Sequence, residues 1–183
     1  MTLLAEAERV LREADCLHDV DAIRAAYDRI AGNIQRDYAG QHPLVLCVMI
    51  GGVHATAEIT SRLQLPMQID YLHATRYRGE TSGGALHWKA HPDLSVKNRH
   101  VLVIDDILDE GHTMAAILKV LREQGAASVK AAVLAEKLHD RKAPNIKADY
   151  VGVTVEDRYV FGCGMDYKSY WRQLPAIYAV KGL

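Results

Sequence analysis

The sequence has only three cysteines, and no two of them are close together in the sequence. Cys16, Cys47 and Cys163 are far apart along the chain, odd in number, and never spaced as CxxC. Disulfide frameworks and zinc sites both need cysteines in pairs or closely spaced groups, so this pattern argues against both. Unpaired thiols are typical of a reducing compartment, and we therefore expect a cytoplasmic protein.

The sequence also lacks a long hydrophobic run. The longest uncharged apolar stretch covers residues 43–53, which is 11 residues interrupted by Gly51 and Gly52. A bilayer-spanning helix needs about 20. The first ten residues, MTLLAEAERV, carry acids where a secretory signal would carry a basic segment. We expect a soluble protein that does not interact with membranes.

No excess of one charge is present: 22 Lys and Arg stand against 23 Asp and Glu. A protein held on nucleic acid by charge usually has a basic excess, so we expect no nucleic-acid partner. Hydrophobic residues make up 49% of the chain, enough for a core and too many for a disordered protein. A length of 183 residues favours a single domain over residues 1–183.

Short aliphatic runs alternate with helical patterns along most of the chain. LVLCVMI (44–50), VLVID (101–105) and VKAAVLA (129–135) predict strands buried on both faces, as in a parallel sheet. Further strands are predicted at 67–75, 150–155 and 177–180, a short hairpin at 85–89, and helices over the first forty residues, 53–63 and 114–125. This order predicts an α/β fold with a mainly parallel, doubly wound sheet flanked by helices.

The segment VLVIDDILDEGHT, residues 101–113, contains the densest set of polar groups. Its strand runs into Asp105 and Asp106, whose side chains would point to opposite faces of a sheet. Two unpaired carboxylates in a core would be very costly, so we expect both to emerge at the carboxyl end of the strand. In doubly wound sheets, ligands bind beyond that end.

The turn that follows combines an acid, Asp109, with Gly111 and Thr113 at the start of a helix. A glycine turn at a helix N-terminus presents backbone N–H groups that bind phosphate, and acids before it can bind sugar hydroxyls or Mg²⁺. An ordinary strand–turn–helix capped by Asp109 would share several of these features. The segment is neither a Walker A loop nor a GxGxxG dinucleotide motif.

The order of residues in VLVIDDILDEGHT resembles the phosphoribosyl-pyrophosphate (PRPP) signature of type I phosphoribosyltransferases. Beyond this segment, the chain is similar to the hypoxanthine-guanine (6-oxopurine) branch of that family from about residue 23 to residue 180. The resemblance implies a purine-salvage enzyme that converts hypoxanthine or guanine plus PRPP to the nucleoside monophosphate and pyrophosphate. It also implies Mg²⁺ as cofactor, a homodimer or homotetramer, and a small hood over the base pocket formed by N-terminal and C-terminal segments.

The resemblance assigns roles to the signature residues. The paired acids of the family bind the ribose 2′ and 3′ hydroxyls and Mg²⁺, which implicates Asp105 and Asp106. The acid of the turn lies near purine N7 and exchanges its proton, which makes Asp109 the catalytic residue. The turn that binds the 5′-phosphate corresponds to Glu110, Gly111, His112 and Thr113.

The base pocket of the family is matched further along the chain. Lys137 follows a strand where the family places a lysine that binds the purine 6-oxo group. Tyr159 and Val160 correspond to an aromatic that stacks on the base and to a residue whose backbone contacts the base edge. Asp166, within Met165-Asp166-Tyr167, corresponds to an acid near the base, pyrophosphate and Mg²⁺.

Around pyrophosphate, the match is less complete. Arg172 corresponds to an arginine that reaches pyrophosphate, and Gly51 and Gly52 correspond to a pyrophosphate-binding turn that often has a basic residue where this chain has Ile50. The family also has a mobile loop with Ser-Tyr, expected here at 76–84, in which only Tyr77 matches. Arg76 or Arg78 would then supply the missing positive charge.

Two alternative functions stay open from the sequence. One is a xanthine-preferring enzyme, because contacts to the purine 2-position are partly made by backbone. The other is a PRPP-sensing regulator that binds RNA on the same scaffold. His87 and His91 have the i, i+4 spacing of a metal pair, but Pro92 argues against a shared helical face.

Overall fold

The protein was analysed as a computed structural model that describes residues 2–76 and 86–182. In chain order, its helices and strands are α1 (Leu3–Glu13), β1 (Asp15–His18), α2 (Val20–Asp37), β2 (Leu44–Val48), α3 (Gly52–Thr60), β3 (Gln68–Arg76), β4 (Leu86–Ala90), β5 (His100–Leu108), α4 (His112–Glu123), β6 (Ser128–Lys137), β7 (Tyr150–Val155), β8 (Val160–Phe161) and β9 (Ile177–Ala179).

A six-stranded sheet forms the centre of the molecule, with the strand order β4-β3-β2-β5-β6-β7. All neighbours are parallel except β3 and β4, which pair antiparallel. From β2 the chain moves outward to β3, whereas from β5 it moves the other way to β6 and β7. The switch point of this doubly wound sheet therefore lies between β2 and β5, where a ligand site is expected.

Helices cover both faces of the sheet because residues on its strands alternate between two cores. On β5, Leu102 and Ile104 face one core, which contains apolar residues of α2 and α3, whereas Val101 and Val103 face the other, which contains those of α4. This burial on both faces explains the continuous aliphatic runs in the sequence. The predicted α/β class is confirmed.

A second, three-stranded antiparallel sheet has the order β1-β9-β8. Together with α1, it packs around its own apolar cluster, which includes Val10, Phe161, Tyr167 and Val180. We call α1, β1, β8 and β9, together with the 162–176 segment, the hood. Neither β1 nor β8 was expected, and the predicted strand at 177–180 pairs with both of them rather than with the large sheet.

Several predicted boundaries shift. The 44–50 strand ends at Val48, where the chain turns through Met49, Ile50 and Gly51. The helix predicted at 53–63 covers Gly52–Thr60. The hairpin predicted at 85–89 is strand β4, which pairs with β3. Within the described chain, no helix combines the length and apolarity that crossing a bilayer requires.

Candidate active site

Two adjoining pockets lie at the carboxyl ends of the central strands. The smaller has a volume of about 260 Å³, and the larger, of about 690 Å³, is open toward β2, β3 and the start of α4. Asp106, Ile107 and Asp109 line both pockets, so the two form one continuous site. The position is the switch point between β2 and β5.

The acid pair lies inside β5 rather than beyond its end, which corrects the sequence-based expectation. Pairing of β5 with β6 continues through Asp105 to Leu108, and Asp106 is buried. Each carboxylate accepts a nearby backbone N–H: Asp105 from Asp106 at 2.9 Å, and Asp106 from Ile107 at 2.7 Å. These hydrogen bonds and the open larger pocket let both acids remain within the strand.

Burial and mutual repulsion make the acid pair hard to ionise. Burial is the main reason that the pKa of Asp105 lies well above its usual range, and the neighbouring charge of Asp106 adds to the effect. Burial also raises the pKa of Asp106, although hydrogen bonds and the positive charge of Arg172 oppose it. A pair of this kind gains from a cation or from hydroxyl donors placed against it.

Glycines let the backbone approach Asp106 closely. A Cβ atom at Gly51 would overlap the Asp106 carboxylate, and one at Gly164 would overlap the backbone oxygen of Gly51. Gly52 lies against the backbone of β5, where a Cβ would come within 2.6 Å of the Ile104 oxygen. The turn after β2 is thereby brought directly against the acid pair, as the assignment of Gly51 and Gly52 requires.

Arg172 connects the acid pair to the hood. Its guanidinium forms an ion pair with Asp166 at 2.5 Å, donates to the Gly164 carbonyl, and lies 4.0 Å from the Asp106 carboxylate. The second oxygen of Asp166 accepts the backbone N–H of Ser169 at 2.6 Å. Arg172 is thus fixed at the edge of the larger pocket, which it lines.

The predicted phosphate turn lines the larger pocket with all four of its residues, Glu110, Gly111, His112 and Thr113. Gly111 has φ +76°, in the left-handed region that favours glycine, and its missing Cβ leaves room for Ile146. Helix α4 begins at His112 without a side-chain cap, so its first N–H groups and the positive end of its dipole face the pocket.

Asp109 lies between the two pockets and accepts two hydrogen bonds. Lys137 donates to Oδ2 at 2.8 Å, and His139 pairs with Oδ1 at 2.7 Å. Burial raises the pKa of Asp109, but the hydrogen bonds from Lys137 and His139 outweigh it, so the net pKa lies below the ordinary value. Asp109 is therefore a carboxylate at neutral pH.

The smaller pocket brings together the residues predicted to bind the base. Lys137, Tyr159, Val160, Met165 and Asp166 all line it. The Tyr159 ring is partly exposed and meets the ring of Tyr167 edge-on, at 5.5 Å between centroids. Lys137 lies at the end of β6. The other four lining residues follow it within about thirty residues in the sequence.

Part of the predicted site falls on residues that the structure does not describe. Tyr77, Arg78 and the rest of the 77–84 segment lie outside the described residues, as does the side chain of Arg76. His87 lies on β4 and His91 directly follows it, and the His91 ring stacks on Trp88 with 4.5 Å between ring centroids. Among residues 2–76 and 86–182, no group of three or more His, Cys, Asp or Glu side chains is placed to hold a metal ion.

Other pocket residues were missed from the sequence. Lys89 on β4 and His73 and Thr75 on β3 line the larger pocket. His139, in the loop after β6, contacts Asp109. No motif covers these residues. An alternating strand pattern could have placed His73 and Thr75 on one face, but nothing local indicates what that face borders.

A family model described as "Phosphoribosyl transferase domain" matches residues 13–169. The chain therefore belongs to the phosphoribosyltransferase family, as its fold and paired pockets indicate. Curated relatives place it in the hypoxanthine-guanine branch. The hypoxanthine-guanine phosphoribosyltransferase of Streptococcus pneumoniae is 33% identical over 162 residues, covering 88% of this chain and 89% of that protein.

Two further relatives agree. The hypoxanthine-guanine-xanthine phosphoribosyltransferase of Tritrichomonas foetus is 31% identical over 179 residues, covering 98% of this chain and 94% of that protein. A solved hypoxanthine phosphoribosyltransferase of Staphylococcus aureus superposes with a TM-score of 0.87 at 26% identity, over 93% of this chain and 94% of that one. The resemblance seen in the sequence is confirmed, and the chain is a phosphoribosyltransferase enzyme.

Proposed function

We propose that this enzyme joins a 6-oxopurine, hypoxanthine or guanine, to PRPP. The bond between ribose C1′ and the pyrophosphate oxygen breaks, and a bond between C1′ and purine N9 forms. The purine gives up one proton, and the products are the nucleoside 5′-monophosphate and pyrophosphate.

The observation that carries this proposal is the pair of pockets that share Asp106, Ile107 and Asp109. The smaller has the size and lining for a flat, polar-edged base, and the larger has acids, backbone N–H groups and cations suited to a sugar carrying phosphates. The shared residues lie where C1′ and N9 would meet.

For the sugar phosphate, we assign the 5′-phosphate to the turn Glu110–Thr113 and the first N–H groups of α4. A helix N-terminus with a glycine turn favours anions through its free donors and its dipole. Asp105 and Asp106 then accept hydrogen bonds from the 2′ and 3′ hydroxyls. Burial raises the pKa of both acids, and hydroxyl donors from the ribose would offset the cost of burying their charged forms.

For the base, we assign Lys137 to the purine 6-oxo group, Tyr159 to stacking, and the Val160 backbone to the base edge. Asp109 accepts the proton of N7 while N9 attacks C1′, and its charge opposes the positive charge that develops on the ribose. A carboxylate with a lowered pKa is in the required ionised form at neutral pH.

Mg²⁺ fits the acid pair. Mg²⁺ in enzymes is usually held by one or two carboxylates together with substrate phosphates and water, so the absence of a larger ligand cluster in the described chain agrees with this type of site. Asp105 and Asp106 would hold the ion; both oxygens of Asp166 are already engaged, so Asp166 would contribute through water. When bound, Mg²⁺ neutralises charge on the departing pyrophosphate.

For pyrophosphate, we assign the backbone of Gly51 and Gly52 together with Arg172. In this turn Ile50 stands where the family often has a basic residue. Lys89, which lines the same pocket from β4, offers a cation. The contributions of Tyr77 and of Arg76 or Arg78 stay predictions. Closure of the 76–84 segment over the site would exclude water from the reactive ribose.

An assay of separate bases tests the proposal. The protein is incubated with PRPP, Mg²⁺ and hypoxanthine, guanine or xanthine, and the monophosphate is measured. We expect IMP and GMP. Formation of XMP alone would support the xanthine-preferring alternative, and salt-dependent RNA binding without any monophosphate would support the regulator.

We further propose a single catalytic domain that works in the cytoplasm as a homodimer or homotetramer, without nucleic-acid or membrane partners. Each of the three cysteines is a free thiol, as expected in a reducing compartment. Ile69 and Tyr71 are about half exposed on one face of β3, which supports burial of that face between subunits. Light scattering coupled to size exclusion would measure the assembly.

A further inference from the structure

His139 is a buried histidine that the proposed roles leave unused. It lies in the loop after β6, and its side chain is only 3% exposed. Its Nε2 atom lies 2.7 Å from Oδ1 of Asp109, although thirty residues separate the two in sequence. His139 is thus buried directly against the proposed catalytic carboxylate.

The hydrogen bonds of the ring define its tautomer. The backbone N–H of Arg141 donates to Nδ1 of His139 at 3.0 Å, so Nδ1 carries the lone pair rather than the proton. Nε2 therefore carries the hydrogen and donates it to Asp109. The ring is thus a hydrogen-bond donor aimed at the carboxylate.

The loop that carries His139 is fixed at both ends. The N–H of Leu138 donates to the Val155 carbonyl at 2.9 Å, and the N–H of Ala143 donates to the Glu110 carbonyl at 2.7 Å. The second contact joins this loop to the phosphate turn itself. His139 is therefore held in a fixed position relative to Asp109.

The two donors to Asp109 differ in what they can do during the reaction. Lys137 lines the base pocket, and its proposed partner is the purine 6-oxo group, so it would leave Oδ2 when the base binds. His139 is not among the residues that line either pocket, and its side chain is buried. It can stay on Oδ1 throughout.

We propose that His139 is a positioning residue that holds the Asp109 carboxylate in its orientation and ionised form while Lys137 turns to the base. This inference rests on the proposed function. Charged groups near the His139–Asp109 pair include Lys137, the Arg141–Asp157 ion pair and Glu110, and they remain unchanged in the variants below.

Three substitutions separate the donor from the packing of the ring. His139→Ala removes both hydrogen bonds. His139→Gln places an amide N–H near the position of Nε2, whereas the shorter Asn in His139→Asn can reach the Arg141 N–H but not Asp109. If the donor to Asp109 matters, Gln restores activity; if only the loop contact matters, Asn does.

We expect His139→Ala to lower kcat by about 10- to 100-fold, as for a misplaced or unsupported catalytic group, with the KM for PRPP unchanged. The acid limb of the kcat/KM profile should move to higher pH, because a lost donor raises the pKa of a carboxylate. His139→Gln should return both values to near wild type. His42→Ala, just before β2 and so at the opposite end of the central strands from the site, is the matched control and should change neither.

A second readout does not depend on turnover. The side-chain carboxyl carbon (Cγ) of Asp109, labelled with ¹³C, is followed by NMR during a pH titration of the wild type and of the Ala and Gln variants. The inference is overturned if Asp109 titrates at the same pH in wild type and His139→Ala, or if Asn rescues activity and Gln does not. If the titration shifts but no protein forms a monophosphate, the proposed function fails while the pairing of His139 with Asp109 stands.

Discussion

At the residue scale, Asp109 is the side chain on which the proposed reaction depends most directly. It lies between both pockets, with one oxygen on Lys137 and the other on His139. The two donors favour the ionised form, which is the form that accepts a proton from N7. The position of Asp109 thus depends on two parts of the fold, the end of β5 and the loop after β6.

Replacing Asp109 by asparagine should lower kcat by roughly 10²–10⁴-fold, the usual effect of losing an acid–base group. Asparagine keeps the shape of the side chain but cannot take up the N7 proton. Steady-state kinetics with hypoxanthine measure the loss, and circular dichroism should show an intact fold. Asp21→Asn, on α2 with a 92% exposed side chain, is the control. Wild-type turnover in Asp109→Asn would refute the assigned role.

Replacing Asp105 by asparagine should stabilise the free enzyme at neutral pH. Folding raises the pKa of Asp105, so its carboxyl binds a proton more tightly in the folded protein than in the unfolded chain. The free energy of unfolding therefore falls as the pH rises from about 4 toward the raised pKa. Asparagine has no charge to bury. A gain of ~1 kcal/mol would raise Tm by about 2–4 °C at pH 7.

Thermal unfolding of the wild type and Asp105→Asn between pH 4 and pH 8 measures this effect. The two curves should approach each other as the pH falls to 4, because Asp105 is then protonated in the folded protein and about half protonated in the unfolded chain. A variant less stable than the wild type at pH 7 would show that the charge of Asp105 is favourably compensated in the free enzyme.

Also at the residue scale, the site divides into a part that local sequence could predict and a part that it could not. Asp105 to Thr113 are contiguous, and their order alone indicated acids followed by a phosphate turn. His139 and Lys89 carry no local signal, because their relation to the site arises only when separate segments meet in the fold. The burial of Asp106 was missed because its hydrogen-bond partners are backbone groups.

At the element scale, the turn between β2 and α3 is held against β5 by glycine. A Cβ at Gly51 would overlap the Asp106 carboxylate, and the backbone there, with φ −58°, imposes no strain of its own. The close approach of two elements, rather than an unusual conformation, is what requires glycine at this position.

Gly51→Ala should therefore displace the acid pair and lower kcat/KM for PRPP by about 100-fold, the effect of a misplacement near 1 Å. Gly32→Ala is the matched control, since no atom lies within 4 Å of its added Cβ on α2. It should keep full activity. Its free energy of unfolding should rise by ~0.5–1 kcal/mol, because alanine favours helix more than glycine does. Equal activity in the two variants would contradict the close approach.

The elements themselves were predicted to different degrees. Long strands buried on both faces, such as β5 and β6, leave continuous aliphatic runs and were found. The strands β1 and β8 span four and two residues, too few for an alternating pattern to be recognised. The pairing of β1 with β9 joins segments more than a hundred residues apart, which only the fold brings together. Strand β8 lies close to β9 in the sequence but is too short to be recognised before the pairing is known.

At the scale of the whole molecule, the base pocket lies between the large sheet and the hood. Lys137 comes from the sheet, whereas Tyr159, Val160 and Asp166 come from the hood side. Within the hood, α1 is joined to the other elements by Val10 in the apolar cluster and by the Ala7 carbonyl, which accepts the Trp171 indole N–H at 2.9 Å.

Val10→Ala should loosen this attachment. Removing two buried methyl groups lowers the free energy of unfolding by about 1–2 kcal/mol, and we expect the KM for the base to rise severalfold while the KM for PRPP stays the same. Leu4→Ala on the same helix is the control, because Leu4 is half exposed. A parallel rise in both KM values would mean that the hood does not act on the base pocket alone.

The central claim is that the larger pocket binds the activated sugar and the smaller one the base. A crystal structure of the protein with PRPP and Mg²⁺ tests it most directly. The account predicts the 5′-phosphate on the N–H groups at the start of α4 and the ribose hydroxyls on Asp105 and Asp106, with C1′ facing Asp109. PRPP bound away from the end of β5, or an acid pair that makes no contact with the ribose, would contradict it.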